Sequence, residues 1–385
     1  MQDTSKQKKK LKRALMVALI AFLILILALM GLAAIVAGRL LSKINRVDPN
    51  EEYTMSSSEA EDFWQTDPDR IPEESLGDMT YPTVPYPVIP GGTEPPVPST
   101  SLPVAPTTVP TQPPTVPEVD VIFGDHLINI MLVGQDRREG QGRQRSDTMI
   151  LVSINKSDNT ITLTSFMRDM YVQIPGYKPN KLNAAYAFGG MGLLRQTLEV
   201  NFGVKVDGVV EVDFGGFNKI IDLLGGVEVE LTEKEAKYLN DLYDANHLKS
   251  PVVVGKNRLD AKQAQVYVQL REIDSDYSRA GRQRKLISSI INAYREQPLD
   301  QMLKLLEEIL PYVTTDMTNL QILDTAVEAF PLLASARINN LRIPLEGTYD
   351  SGVVHIRDGF YAWLQYNVDF EANRQKLYEI FRRKN

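Results

Sequence analysis

"LINIMLVGQDRREGQGRQRSDTMILVSIN", Leu127 to Asn155, sets two apolar runs around a loop crowded with charge. "LINIMLVG" (127–134) and "TMILVSIN" (148–155) have strand length and β-branched content. "TITLTSF" (160–166) follows after "KSDN", a hairpin-type turn. The loop between the first two runs carries Asp136, Arg137, Arg138, Arg143, Arg145 and Asp147. Downstream, "NAAYAFGGMGLLRQTLEVNFG" reads as a helix broken at Gly189 and Gly190. "GVVEVDF" reads as a strand, "FNKIIDLLGG" as a helix stopped by glycine, and "VEVEL" as another strand. "DAKQAQVYVQL" (260–270) is a helix with Asp260 as its N-cap, and "KLISSIINAYRE" continues a basic stretch as helix. Two helical patterns fill 298–330, "NNLRIP" reads as a strand, and "EANRQKLYEIFRR" as a terminal helix. Strands and helices intermix, with hairpin and crossover links both present. The fold class is therefore α/β, a mixed central sheet sandwiched by helices.

Upstream of this block the chain changes character twice. "KQKKKLKR" brings six basic residues before position 14, and Ala14 to Gly38 then runs 25 residues without a charge. A helix of that length is about 37 Å long, enough to cross a hydrocarbon core of about 30 Å. Three basic residues (Arg39, Lys43, Arg46) follow, so residues 1–13 are expected in the cytoplasm and the rest outside a single-pass cell-membrane anchor. A cleaved signal peptide is the alternative, with Ala33, Ala34 and Ala37 as small residues near its end. Residues 39–119 read as an extracellular acidic and proline-rich spacer, with 13 prolines between Pro82 and Pro117. The folded domain is expected over 120–385. The net charge of −7 gives no reason to expect nucleic acid, and the absence of cysteine excludes disulfides and thiolate chemistry.

In open α/β sheets, ligands bind at the carboxyl ends of strands. The charged loop lies at such an end, and other charged segments recur at similar junctions. "SFMRDMYV" carries Arg168 and Asp169, "KLNAAYAFGG" offers Lys181, and "LREIDSDYSRAGRQRK" carries Arg271, Asp276, Arg279 and Arg282. Guanidinium forks match phosphate oxygens in pairs, and lysine adds a point charge. Aspartates beside phosphates call for a hard cation between them, and Mg2+ takes one or two carboxylates with phosphate oxygens. Asp136 and Asp147, at the two ends of the loop, are the candidates. A solvated polar loop whose charges pair with one another is the competing reading.

The ordered blocks "LVGQDRR", "QRSDTMILVSIN", "ITLTSFMRDMYVQIPGY", "KLNAAYAFGG", "VEVDFGGFNKIIDLLGGVEVEL" and "LDAKQAQVYVQLREIDSDYSRAGRQRKLI" resemble the extracellular domain of LytR-CpsA-Psr proteins from about 127 to 295. The resemblance implies a phosphotransferase that moves a teichoic acid- or capsule-like glycopolymer from a polyprenyl-pyrophosphate carrier to peptidoglycan, assisted by Mg2+. It matches Asp136 and Asp147 to metal-associated aspartates. Arg145, Arg168, Arg271, Arg279 and Asp276 fall on catalytic positions, and Arg138, Lys181, Arg282, Gln283 and Gln269 on substrate-binding ones. Two positions depart: Gln269 stands where the family commonly has the first arginine of Arg-x-Arg, and Ser278 where glycine commonly precedes the arginine matched by Arg279. Two other readings stay open at this point, a non-catalytic lipid-pyrophosphate or wall-glycan sensor and a hydrolase acting on the same lipid.

Overall fold

The computed structural model describes residues 37–48, 54–65, 70–71, 81–84, 87, 121–122, 124–135, 145–242, 251–271, 273, 275–357 and 360–383. The strands are β1 (Asn45–Arg46), β2 (Arg70–Ile71), β3 (Leu127–Gln135), β4 (Ser146–Asn155), β5 (Thr160–Phe166), β6 (Tyr171–Val172), β7 (Asn180–Lys181), β8 (Gly208–Asp213), β9 (Val227–Leu231), β10 (Gly255–Leu259), β11 (Val313–Thr315), β12 (Arg337–Ile343), β13 (Asp350–Arg357) and β14 (Phe360–Tyr366). The helices are α1 (Ser57–Gln65), α2 (Leu182–Phe202), α3 (Phe214–Leu223), α4 (Glu233–Asp241), α5 (Ala261–Gln269), α6 (Asp276–Arg295), α7 (Leu299–Ile309), α8 (Asn319–Leu333) and α9 (Phe370–Phe381). The main sheet has the order β1-β11-β8-β3-β4-β5-β12. It is mixed: β3–β8 and β5–β12 pair parallel, while β3–β4 and β4–β5 pair antiparallel. Consequently β3, β5, β8 and β12 all end at one edge of the domain.

Side-chain alternation with period two divides the strands between two cores. Met131, Val133, Met149, Leu151 and Phe166 face one side, where α2 and α9 supply Leu194, Leu198, Phe202 and Leu377. Ile128, Ile150, Ile154, Ile161 and Leu163 face the other, under Ile287 and Ile291 of α6 and Ala329 of α8. A separate cluster joins the β9–β10 pair to α3, α4 and α5 through Val229, Leu239, Ala264 and Tyr267. The anticipated break in α2 is present: Gly190 has φ 60, a conformation that needs glycine, and Gly189 is non-helical beside it. Asp260 caps α5 as expected, accepting from the Gln263 amide while the Gln263 side chain returns to Asp260 N.

Two differences from the sequence reading concern segments with weak patterns. The β13–β14 hairpin was not anticipated; it forms a small sheet with β2. Residues 39–119 were expected to stay outside the fold as a spacer, yet parts of them belong to it. β1 pairs with β11, β2 pairs with β14, and Val84 N donates to His355 O at 3.1 Å. Met55 N donates to Phe188 O at 2.7 Å, and Phe63 of α1 meets Phe188 edge-on with ring centroids 6.0 Å apart. The physical reason is local. A few apolar residues (Met55, Ala60, Phe63, Val84) in a polar stretch can dock on an existing core without making one themselves. The uncharged run 14–38 falls outside the described residues except for 37–38, and no helix among the described residues is long and apolar enough to cross a membrane.

Candidate active site

The site begins at a fault in strand pairing. Gly134 pairs with Thr148, but the next pair is Gln135 with Ser146, so Asp147 is an extra residue in β4. Such a bulge re-aims the side chain it carries. Next to it, the segment after β5 is pinned by main-chain bonds from three directions. Met167 N donates to Ile343 O at 2.9 Å, Asn183 N to Arg168 O at 3.2 Å, and Gln365 N to Asp169 O at 3.0 Å. Arg168 is thereby held at the carboxyl ends of β5 and β12. Its Nη1 reaches Asp147 Oδ1 at 2.6 Å, its Nε reaches Asp169 Oδ2 at 3.2 Å, and its Nη2 lies 3.8 Å from Asp276 Oδ2.

Other cations close round the same carboxylates. Lys181, buried at the start of α2, puts Nζ 3.0 Å from Asp169 Oδ1. Arg279 lies one turn beyond Asp276 on α6, with its Nη2 3.4 Å from Asp276 Oδ1. Burial pushes the Arg279 guanidinium below its usual range; Asp276 opposes this, Arg168 and Arg271 add to it, and Asp147 opposes it. Those four influences place Arg279 within the field of the whole cluster. Arg271 is half exposed and approaches Asp147 Oδ1 at 3.7 Å, a distance and exposure at which an ion pair holds a side chain weakly. It is the arm of the cluster freest to move toward a ligand. Among the described residues, four cations (Arg168, Lys181, Arg271, Arg279) thus surround three carboxylates (Asp147, Asp169, Asp276).

The remaining expected site residues lie elsewhere or outside view. Asp136 and Arg138 fall outside the described residues. Arg145 stands beside the bulge with its guanidinium carbon 4.9 Å from the centre of the Phe63 ring, a cation–π contact with α1. Arg282 points away from the cluster: its Nη2 donates to Leu270 O at 2.6 Å and its Nη1 lies 3.6 Å from Glu235 Oε1, both partners buried. It ties α6 to α4 and α5 rather than lining the cluster. Gln283 is half-buried on α6, and Gln269 ends α5 exposed; neither side chain makes a hydrogen bond or ion pair among the described residues. Sequence reasoning missed Gln365, which is fully buried, holds Asp169 by its backbone and donates from Nε2 to Tyr277 Oη at 3.1 Å. A single glutamine in an unrecognised strand gave no signal.

For a metal, the donor set fits in part. Both guanidinium contacts to Asp147 fall on Oδ1, which leaves Oδ2 for a hard cation. Among the described residues no group of three acidic or histidine side chains could hold a metal ion by itself. One carboxylate oxygen, with phosphate oxygens from a ligand, suits Mg2+.

An α/β sandwich with guanidinium and ammonium groups gathered at its strand ends has the chemistry that matches phosphate oxygens. Comparison with known proteins names the group: the LytR_cpsA_psr family model matches residues 110–368, and the chain belongs to that family. It is 30% identical over 261 residues to the polyisoprenyl-teichoic acid–peptidoglycan teichoic acid transferase TagT of Bacillus subtilis (strain 168), covering 67% of this chain and 76% of that protein. It is also 30% identical over 263 residues to the regulatory protein MsrR of Staphylococcus aureus (strain COL), covering 66% and 76%. Among solved structures, TagT bound to LIIa-WTA superposes with a TM-score of 0.53 at 26% identity, covering 67% of this chain and 90% of that one.

Proposed function

We propose that this chain is a membrane-anchored extracellular phosphotransferase that moves a glycopolymer from a polyprenyl-pyrophosphate carrier to peptidoglycan. The observation that carries the reading is the convergence of Arg168, Lys181, Arg271 and Arg279 on Asp147, Asp169 and Asp276 at the strand ends. Its relationship to TagT, a teichoic acid transferase by name, supports the same reading. The uncharged run 14–38 behind a basic tail supports the anchor, with the domain outside the cell.

Phosphoryl transfer is largely positioning plus charge stabilisation. In the proposed reaction an acceptor hydroxyl oxygen bonds to the sugar-side phosphorus. The bond from that phosphorus to the bridging oxygen breaks, and the oxygen leaves on the lipid monophosphate. Arg168, Arg271 and Arg279 stabilise charge on the non-bridging oxygens and the leaving group, and buried Lys181 holds Asp169 in place. Asp276, with 24% of its side chain exposed against 6% for Asp169, is the carboxylate an acceptor hydroxyl can approach, and it takes the proton. Mg2+ held by Asp147 and Asp136 would neutralise phosphate charge at the same point.

Names among the relatives favour a second reading as well, since MsrR is called regulatory. One experiment separates them. The full chain in lipid vesicles is incubated with prenyl-pyrophosphate glycan, peptidoglycan oligomers and Mg2+, and the products are read by mass spectrometry. Glycan joined to peptidoglycan through a phosphodiester is expected. Tight lipid binding with no product would make the protein a sensor; free glycan phosphate would make it a hydrolase.

A further inference from the structure

A second pair of arginines sits beside the site, and among the described residues no carboxylate answers it. Tyr277 and Arg284 stand two turns apart on the same face of α6, the face turned to the sheet. Beneath them, Arg342 of β12 lies in register with Ser165 of β5. Ser165 alternates with Leu163 and Ile161, which face α6, so Ser165 and Arg342 face α6 as well. The Arg342 guanidinium carbon is 4.5 Å from the centre of the Tyr277 ring, and its Nε donates to Pro344 O at 3.3 Å. Arg284 buries Nε and Nη1 with no hydrogen-bond partner, and Ser165 buries an equally unpartnered hydroxyl. Among the described residues neither arginine has a carboxylate within 4.0 Å.

Two guanidinium groups brought together without a counter-ion repel each other, and buried donors left unbonded cost free energy. Burial and the neighbouring Arg342 push Arg284 down to about 10. A fold keeps such a recess when something else supplies the charge. The chemistry that satisfies it is a small oxyanion with several acceptor oxygens, since two guanidinium groups and a hydroxyl face one another between α6 and the sheet. Tyr277 roofs the recess and directly follows Asp276, so the anion would lie next to the cluster that handles the pyrophosphate.

We infer that Arg284, Arg342 and Ser165 form a second phosphate-binding subsite, separate from the Arg168 cluster and reached past Tyr277. Two sources of that chemistry are available, free inorganic phosphate and a phosphodiester of the glycopolymer. Only the second rests on the transferase reading.

The test is calorimetric titration of the full chain in detergent, first with inorganic phosphate and then with a glycerol-phosphate oligomer. Wild type is expected to bind one more phosphate per chain than Arg284→Gln or Arg342→Gln, and the lost event should be the same in both. In phosphate-free buffer Arg284→Gln should melt no lower than wild type, because it removes like-charge repulsion. Oligomer binding that weakens at least about tenfold in both variants would assign the subsite to the polymer. Phosphate binding that changes while oligomer binding does not would assign it to free phosphate. Equal stoichiometry and affinity for both ligands in wild type and variants would overturn the inference. So would a clear drop in melting temperature for Arg284→Gln without phosphate, which would make Arg284 a structural cation. Failure of the transfer assay leaves this titration untouched, so the two proposals fall separately.

Discussion

The two ends of the main sheet both carry carboxylates and cations, and they use them differently. At the amino ends of β3 and β8 there is a cavity of about 470 Å3 lined by Asp125, Asp207, Asp324, Glu328, Arg195 and Lys205, among others. One of its lining carboxylates, Asp207, and the neighbouring Asp316 bond backbone amides, while Glu328 pairs with Lys156 at 2.7 Å. Asp207 Oδ2 accepts from Asn129 N at 2.8 Å, and Asp316 accepts from Val209 N at 2.8 Å while pairing with Arg195 at 2.9 Å. At the carboxyl ends, Asp147, Asp169 and Asp276 instead face guanidinium and ammonium groups that outnumber them among the described residues. A carboxylate bonded to a buried amide is fastening a loop. One crowded by excess cations sits where another anion is meant to arrive. That contrast is the reason the proposed function rests on the charged strand ends and not on the amino-end cavity.

The largest effect should come from Arg168→Ala, which removes the side chain contacting all three carboxylates. Transfer should fall about a thousandfold, as when a donor aimed at developing charge is lost. Near-normal product formation in the mass-spectrometric assay would end the contrast between the two poles. Glu235→Ala tests the assignment of Arg282 to the scaffold. Glu235 is 7% exposed and also closes the α4 capping box with Thr232. Leaving Arg282 buried without it should cost about 3–5 kcal/mol in urea unfolding; a change below about 1 kcal/mol would put Arg282 back among the ligand-facing residues.

At the opposite pole, Asp207→Ala should destabilise by about 1–3 kcal/mol through the unsatisfied Asn129 amide. Its transfer rate, measured on the folded fraction, should not move. A large loss of rate there would show that the amino-end cavity takes part in the chemistry. Smallest of all, Gln269→Arg should alter affinity for a soluble prenyl pyrophosphate by less than about twofold at low salt, because the exposed end of α5 is screened. A tenfold gain would bring that position into the cluster.

Where the sequence was legible, a strong local pattern made it so. β3 and β4 announced themselves by apolar runs and β5 by apolar residues alternating with threonine, and Asp260 and the glycine pair at 189–190 marked a helix start and a helix break. The β13–β14 hairpin did not, because its strands mix glycine, histidine and arginine with apolar residues and face a small core. Among site residues, Arg168, Lys181, Arg271, Arg279, Asp147 and Asp276 were readable as charged residues at strand or helix junctions. Arg282 was readable in the same way and has another task, since one position along a helix turns a side chain by about 100°.

By itself the sequence determined the alternation of strands and helices, the charge available at each junction, and the uncharged run and proline-rich stretch before the domain. These follow from periodicity and composition, which act over a few neighbouring residues. Which charges meet was decided only by the tertiary structure. The bulge at Asp147, the three-way pinning of Arg168 and the facing of Arg284 toward Arg342 join residues up to two hundred positions apart. Contact between them depends on sheet order and register, which no local pattern specifies. The docking of Met55 and Phe63 on Phe188 belongs to the same kind, because a short apolar segment finds a place only once the surface that receives it exists.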